Sequence, residues 1–172
     1  MSVIYSTTCG YGIHALCRIA SLQRERIAAG HGGENVGVGV ICEGSELSPP
    51  FVSKILHQLA RAGLILSSKG RNGGFRLGRP AHAMRLMDVV EVIDGAEVYR
   101  RCAVSSFEKC NDNQPCPQHD SFKPLREQIL HYLRHTTIAD LVDAMNDKQA
   151  KSRQRFEADV ASSAADDEIN RA

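Results

Sequence analysis

Nowhere in the 172 residues do apolar side chains run uninterrupted for the ~18 or more positions that a membrane span requires. The opening MSVIYSTTCG also lacks the basic-then-apolar pattern of a secretory signal. The expectation is therefore a cytoplasmic protein with no membrane partner. The glycines around Gly30–Gly33 form neither Gly-x-Gly-x-x-Gly nor a loop followed by Lys-Ser/Thr, so they read as a linker and not as a phosphate cradle. No cysteine sits in a recognisable nucleophile motif with a neighbouring histidine and an orienting group, which argues against an enzyme. Internal repeats are absent as well.

The most informative absence is local. From Leu47 to Met87 there is no Asp or Glu, yet Lys54, Arg61, Lys69, Arg71, Arg76, Arg79 and Arg85 all fall there. Net charge is only +1, so the basic block is balanced by an acidic remainder. That asymmetry is what a surface that neutralises phosphates needs, with the acidic part kept off the polyanion. The plain alternative is an ordinary solvated face.

What is present sharpens the choice. Residues Tyr5 to Leu22 place Ile13, Leu16, Cys17, Ile19 and Ala20 at helical spacing and predict a first amphipathic helix. A glycine-rich loop over Ala29 to Gly39 leads to a short helix over Val38 to Gly44. Ser48 before Pro49 is a start signal, and the helix SPPFVSKILHQLARAG carries Phe51, Ile55, Leu59 and Ala62 on one stripe, with Gly63 as its stop. Its other face bears Ser53, Lys54, His57, Gln58 and Arg61, side chains that can donate to phosphates or read base edges in a major groove. Leu64–Leu66 and Gly74–Leu77 read as strands around SSKGRNGG, a hairpin tipped by Lys69, Arg71 and Asn72.

The expected fold is therefore mainly α with a small β-wing: a winged helix-turn-helix over residues 1–82. Further helices follow over Ala83–Ile93, about Phe122–His135 and from Thr137. The stripe Phe122, Leu125, Ile129 and Leu133 needs a partner, which a homodimer would supply. Residues 83–145 form the second region, and the charged, alanine- and serine-rich 146–172 reads as a disordered tail.

Cysteine usage adds a second chemistry. Of six cysteines, Cys17 and Cys42 lie on apolar helical stripes and read as core. Cys102, Cys110 and Cys116, with His119 close behind, crowd the polar loop between Glu97 and Ser121. Soft thiolates so placed can wrap one metal centre, and the lack of a close Cys pair favours iron–sulfur over zinc. Three thiols that respond to oxidation without metal are the alternative.

Together YGIHALCRIA, LSPPFVSKILHQLARAGLI, SSKGRNGGFRL, MDVVEVIDG, the triple-cysteine loop and TTIADLVD resemble the Rrf family of winged-helix regulators over roughly Tyr5 to Ala144. That resemblance implies a homodimeric DNA-binding transcriptional regulator, a repressor of redox, iron–sulfur or nitric-oxide responses, acting on double-stranded DNA at a palindromic operator. It also implies a long dimerisation helix and a cluster on Cys102, Cys110 and Cys116. The fourth ligand is His119, or Cys9 or His14 supplied by the first helix of the partner subunit. Seven residues separate Cys102 from Cys110, against five in familiar members, which leaves a two-iron and a four-iron cluster both open.

Overall fold

The computed structural model describes residues 4–30, 35–44, 47–96, 99, 113 and 115–169, the last stretch with side chains to 155. Its elements run α1 (Thr7–Ala28), α2 (Val38–Cys42), α3 (Pro49–Arg61), β1 (Ile65–Ser68), β2 (Gly74–Leu77), a one-turn 3-10 helix (Ala81–Ala83), α4 (Leu86–Ile93), α5 (His119–His135) and α6 (Ile138–Ile169). The order is helix, short helix, helix and two-stranded wing, as the pattern predicts.

Helix α1 is the centre of the fold. Ser6 caps it by accepting from the Cys9 amide at 3.0 Å, and its inner face buries Cys9, Ile13, Leu16, Cys17 and Ile19. Against that face pack α3, α4, α6 and β2. Helix α3 contributes Val52, Ile55, Leu56 and Leu59 to the same core. The expected stripe is thereby shifted: Ile55 and Leu59 hold, whereas Phe51 is 38% exposed and Ala62 faces solvent. Tyr11 meets Phe51 edge-on at 5.8 Å, so the aromatic ring rims the core and does not enter it.

The wing is a two-stranded antiparallel sheet with Ile65 opposite Leu77 and Ser68 opposite Gly74. The glycine-rich loop is only partly a linker. Val36, fully buried, exchanges backbone hydrogen bonds with Phe75 at 2.8 and 2.9 Å and extends the wing on its second edge. This pairing explains Gly74. Its φ is +145°, and a Cβ there would lie 2.5 Å from the Val36 carbonyl oxygen, which is backbone and cannot swing aside. Gly74→Ala is expected to cost about 2–3 kcal/mol through strain and lost pairing. A thermal melt indistinguishable from the parent chain would refute that reading.

Helix α4 starts where the Asp88 carboxylate accepts from the Arg85 amide at 2.9 Å. Its far end joins other elements: Asp94 accepts from Ser6 at the start of α1, and the Tyr99 hydroxyl donates to the Ile4 carbonyl. The α5–α6 junction is pinned to the beginning of α4, with the Leu86 amide donating to the Thr136 carbonyl and Ile138 to Met84.

The C-terminal part is two helices. Helix α5 begins at His119, and of the stripe Phe122, Leu125, Ile129 and Leu133 the single chain buries Leu133 and leaves Leu125 47% exposed. Beyond 146, where the composition suggests a disordered tail, the backbone of α6 runs on to Ile169. Between Ile138 and Ile169 there is no glycine or proline, and alanine, glutamate, lysine, glutamine and arginine favour helix without needing a core. The residues from Asn146 to Arg155 are all exposed, which is why the composition resembles that of an unpacked segment.

Candidate functional site

Helix α3 packs beside the wing, and both carry exposed basic side chains. Lys54, His57 and Arg61 are exposed on α3, and Ser53 is half-buried. Lys69, Arg71 and Asn72 are exposed at the wing tip, where Gly70 takes φ +102° and the Gly73 amide donates to the Gly70 carbonyl at 2.9 Å. His57 packs edge-on to Phe75 of β2, with ring centroids 5.4 Å apart. The histidine therefore braces α3 against the wing while its ring stays at the surface.

The described residues leave much of the charge on these elements without an ion-pair partner. Among the described residues no ion pair involves Lys54, Arg61, Lys69, Arg71 or Arg76. Arg79 differs: it pairs with Asp88 and holds the chain after the wing to α4. Cations that have no ion pair among the described residues are suited to bind a phosphate backbone.

Gln58 is half-buried. Its Nε2 donates to the Val92 carbonyl at 2.8 Å, one of the last carbonyls of α4, which lack partners within their own helix. The amide of Gln58 thus joins α3 to α4 in this structure. Nothing in the local sequence announces this, because the acceptor lies 34 residues away.

The cysteine loop is only partly within the described residues. Cys102 and Cys110 lie outside them. Cys116 is half-buried just before α5, and His119 opens that helix, 7% exposed, with its amide donating to the Cys116 carbonyl at 2.9 Å. The two side chains thus stand within one turn of each other. The N-terminal end of a helix favours anionic ligands such as thiolates.

Of the alternative ligands on α1, His14 is exposed, whereas Cys9 has no exposed surface. Burial, with the Asp94 carboxylate adding to it, pushes the Cys9 thiol up to about 12. Cys9 thus packs in the core of the single chain. Cys17, as expected, is also core, and burial raises its thiol to about 12. Cys42 is likewise buried.

Comparison with known proteins agrees with this architecture. The Rrf2 family model, described as an iron-dependent transcriptional regulator, matches residues 5–144. A protein of Aquifex aeolicus named as an HTH-type transcriptional regulator is 31% identical over 143 residues, covering 82% of this chain and 92% of its own. Among solved structures, the global cysteine regulator CymR of B. subtilis superposes with a TM-score of 0.65 at 20% identity, covering 84% of this chain and 98% of its own. T. potens IscR gives 0.63 at 21% identity, covering 87% and 91%. The oxidised form of Staphylococcus aureus CymR gives 0.60 at 22%, covering 83% and 96%. At these identities the solved structures share the fold.

Proposed function

The chain belongs to the Rrf2 family of DNA-binding transcriptional regulators, not enzymes, and on that premise we propose that it binds a palindromic operator as a homodimer and senses through an iron–sulfur cluster. The observation that carries the DNA half is the set of exposed basic side chains on α3 and the wing that have no ion pair among the described residues. Ser53 and His57 read base edges, while Lys54, Arg61, Lys69, Arg71 and Asn72 hold phosphates and set the register. A symmetric dimer presents two such faces to half-sites related by a two-fold axis, hence the palindrome. We assign the protomer contact to α5, where Leu125 and Tyr132 are 47% and 40% exposed. As a DNA regulator the protein acts in the cytoplasm.

We assign the cluster to Cys102, Cys110, Cys116 and His119. The donor chemistry fits, since thiolates with one imidazole ligate iron–sulfur centres, and Cys116 and His119 already share a turn. When bound, the cluster supplies iron that responds to oxidants and nitric oxide. The chain's own part is transmission. Asp94 and Tyr99, at the entrance to the loop, grip Ser6 and Ile4, and Val92 on the same helix end grips Gln58. A loop that rearranges therefore pulls on α1 and the reading helix together, which gives two states of different DNA affinity.

A second reading keeps the fold and the DNA face but lets Cys102, Cys110 and Cys116 respond by oxidation without metal. The likeness to CymR, one of whose structures is of an oxidised form, favours keeping it. Iron and acid-labile sulfide per chain after anaerobic isolation decide between the two: both present, with brown colour, supports the cluster, whereas colourless protein with full DNA binding supports the thiol switch.

The division of labour on the DNA face has its own test. Lys54→Ala, Lys69→Ala or Arg71→Ala is expected to weaken binding to every sequence and lower the salt-dependence slope by about one unit per lost phosphate contact. Ser53→Ala or His57→Ala is expected to change which sequence is preferred, and binding selection from random DNA reads that out. Equal losses on specific and random DNA at all five positions would contradict the assignment.

A further inference from the structure

Two histidines on α5 take no part in any of this. His131 and His135 are one turn apart, both exposed, with imidazoles stacked at a centroid distance of 4.0 Å and an interplanar angle of 25°. The Nδ1 of His135 lies 2.7 Å from the His131 carbonyl oxygen. A carbonyl oxygen can only accept, so Nδ1 must carry the proton. In the neutral ring this is the tautomer in which Nε2 is the bare, lone-pair nitrogen. Metal-ligating histidines are held in this way, one ring nitrogen donating to a carbonyl or carboxylate so that the other is aimed and made more basic.

We propose that His131 and His135 form a two-imidazole site for a divalent transition cation of the zinc, nickel or copper class. Two imidazole nitrogens bound at ~2.0–2.1 Å in a tetrahedral arrangement stand ~3.4 Å apart. The two rings stand one helical turn apart with centroids at 4.0 Å, so side-chain rotations that turn both Nε2 atoms toward one point bring them into that range without moving the helix. Water completes the coordination at this open surface. Imidazole donors select this class of cation over magnesium or calcium, which prefer oxygen.

The position gives the site a consequence. His135 ends α5, and the next residue, Thr136, accepts from the Leu86 amide at the start of α4. A cation spanning the last turn of α5 stiffens the junction on which α4 hangs. The site is separate from the cysteine loop and independent of whether that loop holds a cluster.

The test uses the full chain with Cys102, Cys110 and Cys116 all changed to serine, so that thiolates do not compete. Nickel chloride is titrated by calorimetry, and the ring resonances of the seven histidines are followed by NMR during a zinc titration. One nickel per chain is expected, with the zinc response confined to His131 and His135. His131→Ala or His135→Ala should weaken binding at least tenfold, and circular dichroism should show the helix intact, because alanine is the better helix former. Unchanged affinity in either variant, no binding in the parent, or a response centred on another histidine overturns the proposal.

Discussion

Cys102→Ala, Cys110→Ala and Cys116→Ala are each expected to abolish the visible absorbance of anaerobically isolated protein while leaving a folded, helical chain. The folding half follows from where the core lies. Its buried apolar residues come from α1 to α4, the wing, Val36, and the α5–α6 region at Leu133, Ile138 and Val142, and Cys116 is not among them. The chromophore half follows from the donor count, since with one thiolate gone the remaining ligands leave iron open to solvent and oxidant. His119 is the fourth member, and because it is buried, its replacement needs a folding control. With the fold intact, His119→Gln should shift the spectrum or make the iron labile if the imidazole ligates. If His14 of a partner subunit ligates instead, His14→Ala is the damaging change. All three cysteine variants keeping the parent spectrum and iron content would sink the cluster reading, and one variant doing so would remove that residue from it.

How far the sequence reaches is clear from particular residues. The Ser48–Pro49 start, the Gly63 stop and the glycines of the wing are local signals, and α3 and the hairpin stand where those signals put them. The misses share one cause, which is that the decisive partner is distant in the chain. Val36 looks like the end of a flexible loop until Phe75 is beside it, and the hydrogen bond from Gln58 to the Val92 carbonyl at 2.8 Å, 34 residues away, has no local signal. Polar side chains on a half-buried face are ambiguous in just this way: an amide that can read adenine can equally satisfy a helix end. The composition of an unpacked helix and that of an unfolded tail overlap, so composition alone does not give the extent of α6. The wing-tip cations have no ion pair among the described residues.

Reaction with an alkylating reagent at pH 8 is expected to be ~1,000-fold slower at Cys9 and Cys17 than at an ordinary free cysteine, because only the thiolate reacts and a three-unit rise in pKa lowers its fraction by that factor. Burial alone accounts for Cys17, and burial with the Asp94 carboxylate for Cys9, each thiol being pushed up to about 12. Both side chains are also shielded in the core, at 2% and 0% exposure, so steric exclusion acts in the same direction. The sign for stability follows from proton linkage. Between pH ~9 and ~12 the folded chain keeps these protons while the unfolded chain releases them, so their contribution is complete below pH ~9 and is lost as the pH rises through ~12. Tyr99, raised to about 12 chiefly by burial, titrates in the same window, so an alkaline melt reports several groups together. Mass-spectrometric mapping of alkylation separates them residue by residue. Slow labelling of Cys9 and Cys17 confines any thiol response of the native protein to other cysteines, with Cys102, Cys110 and Cys116 the candidates. Labelling of Cys9 or Cys17 in the native chain as fast as in urea would show that the α1 core opens readily.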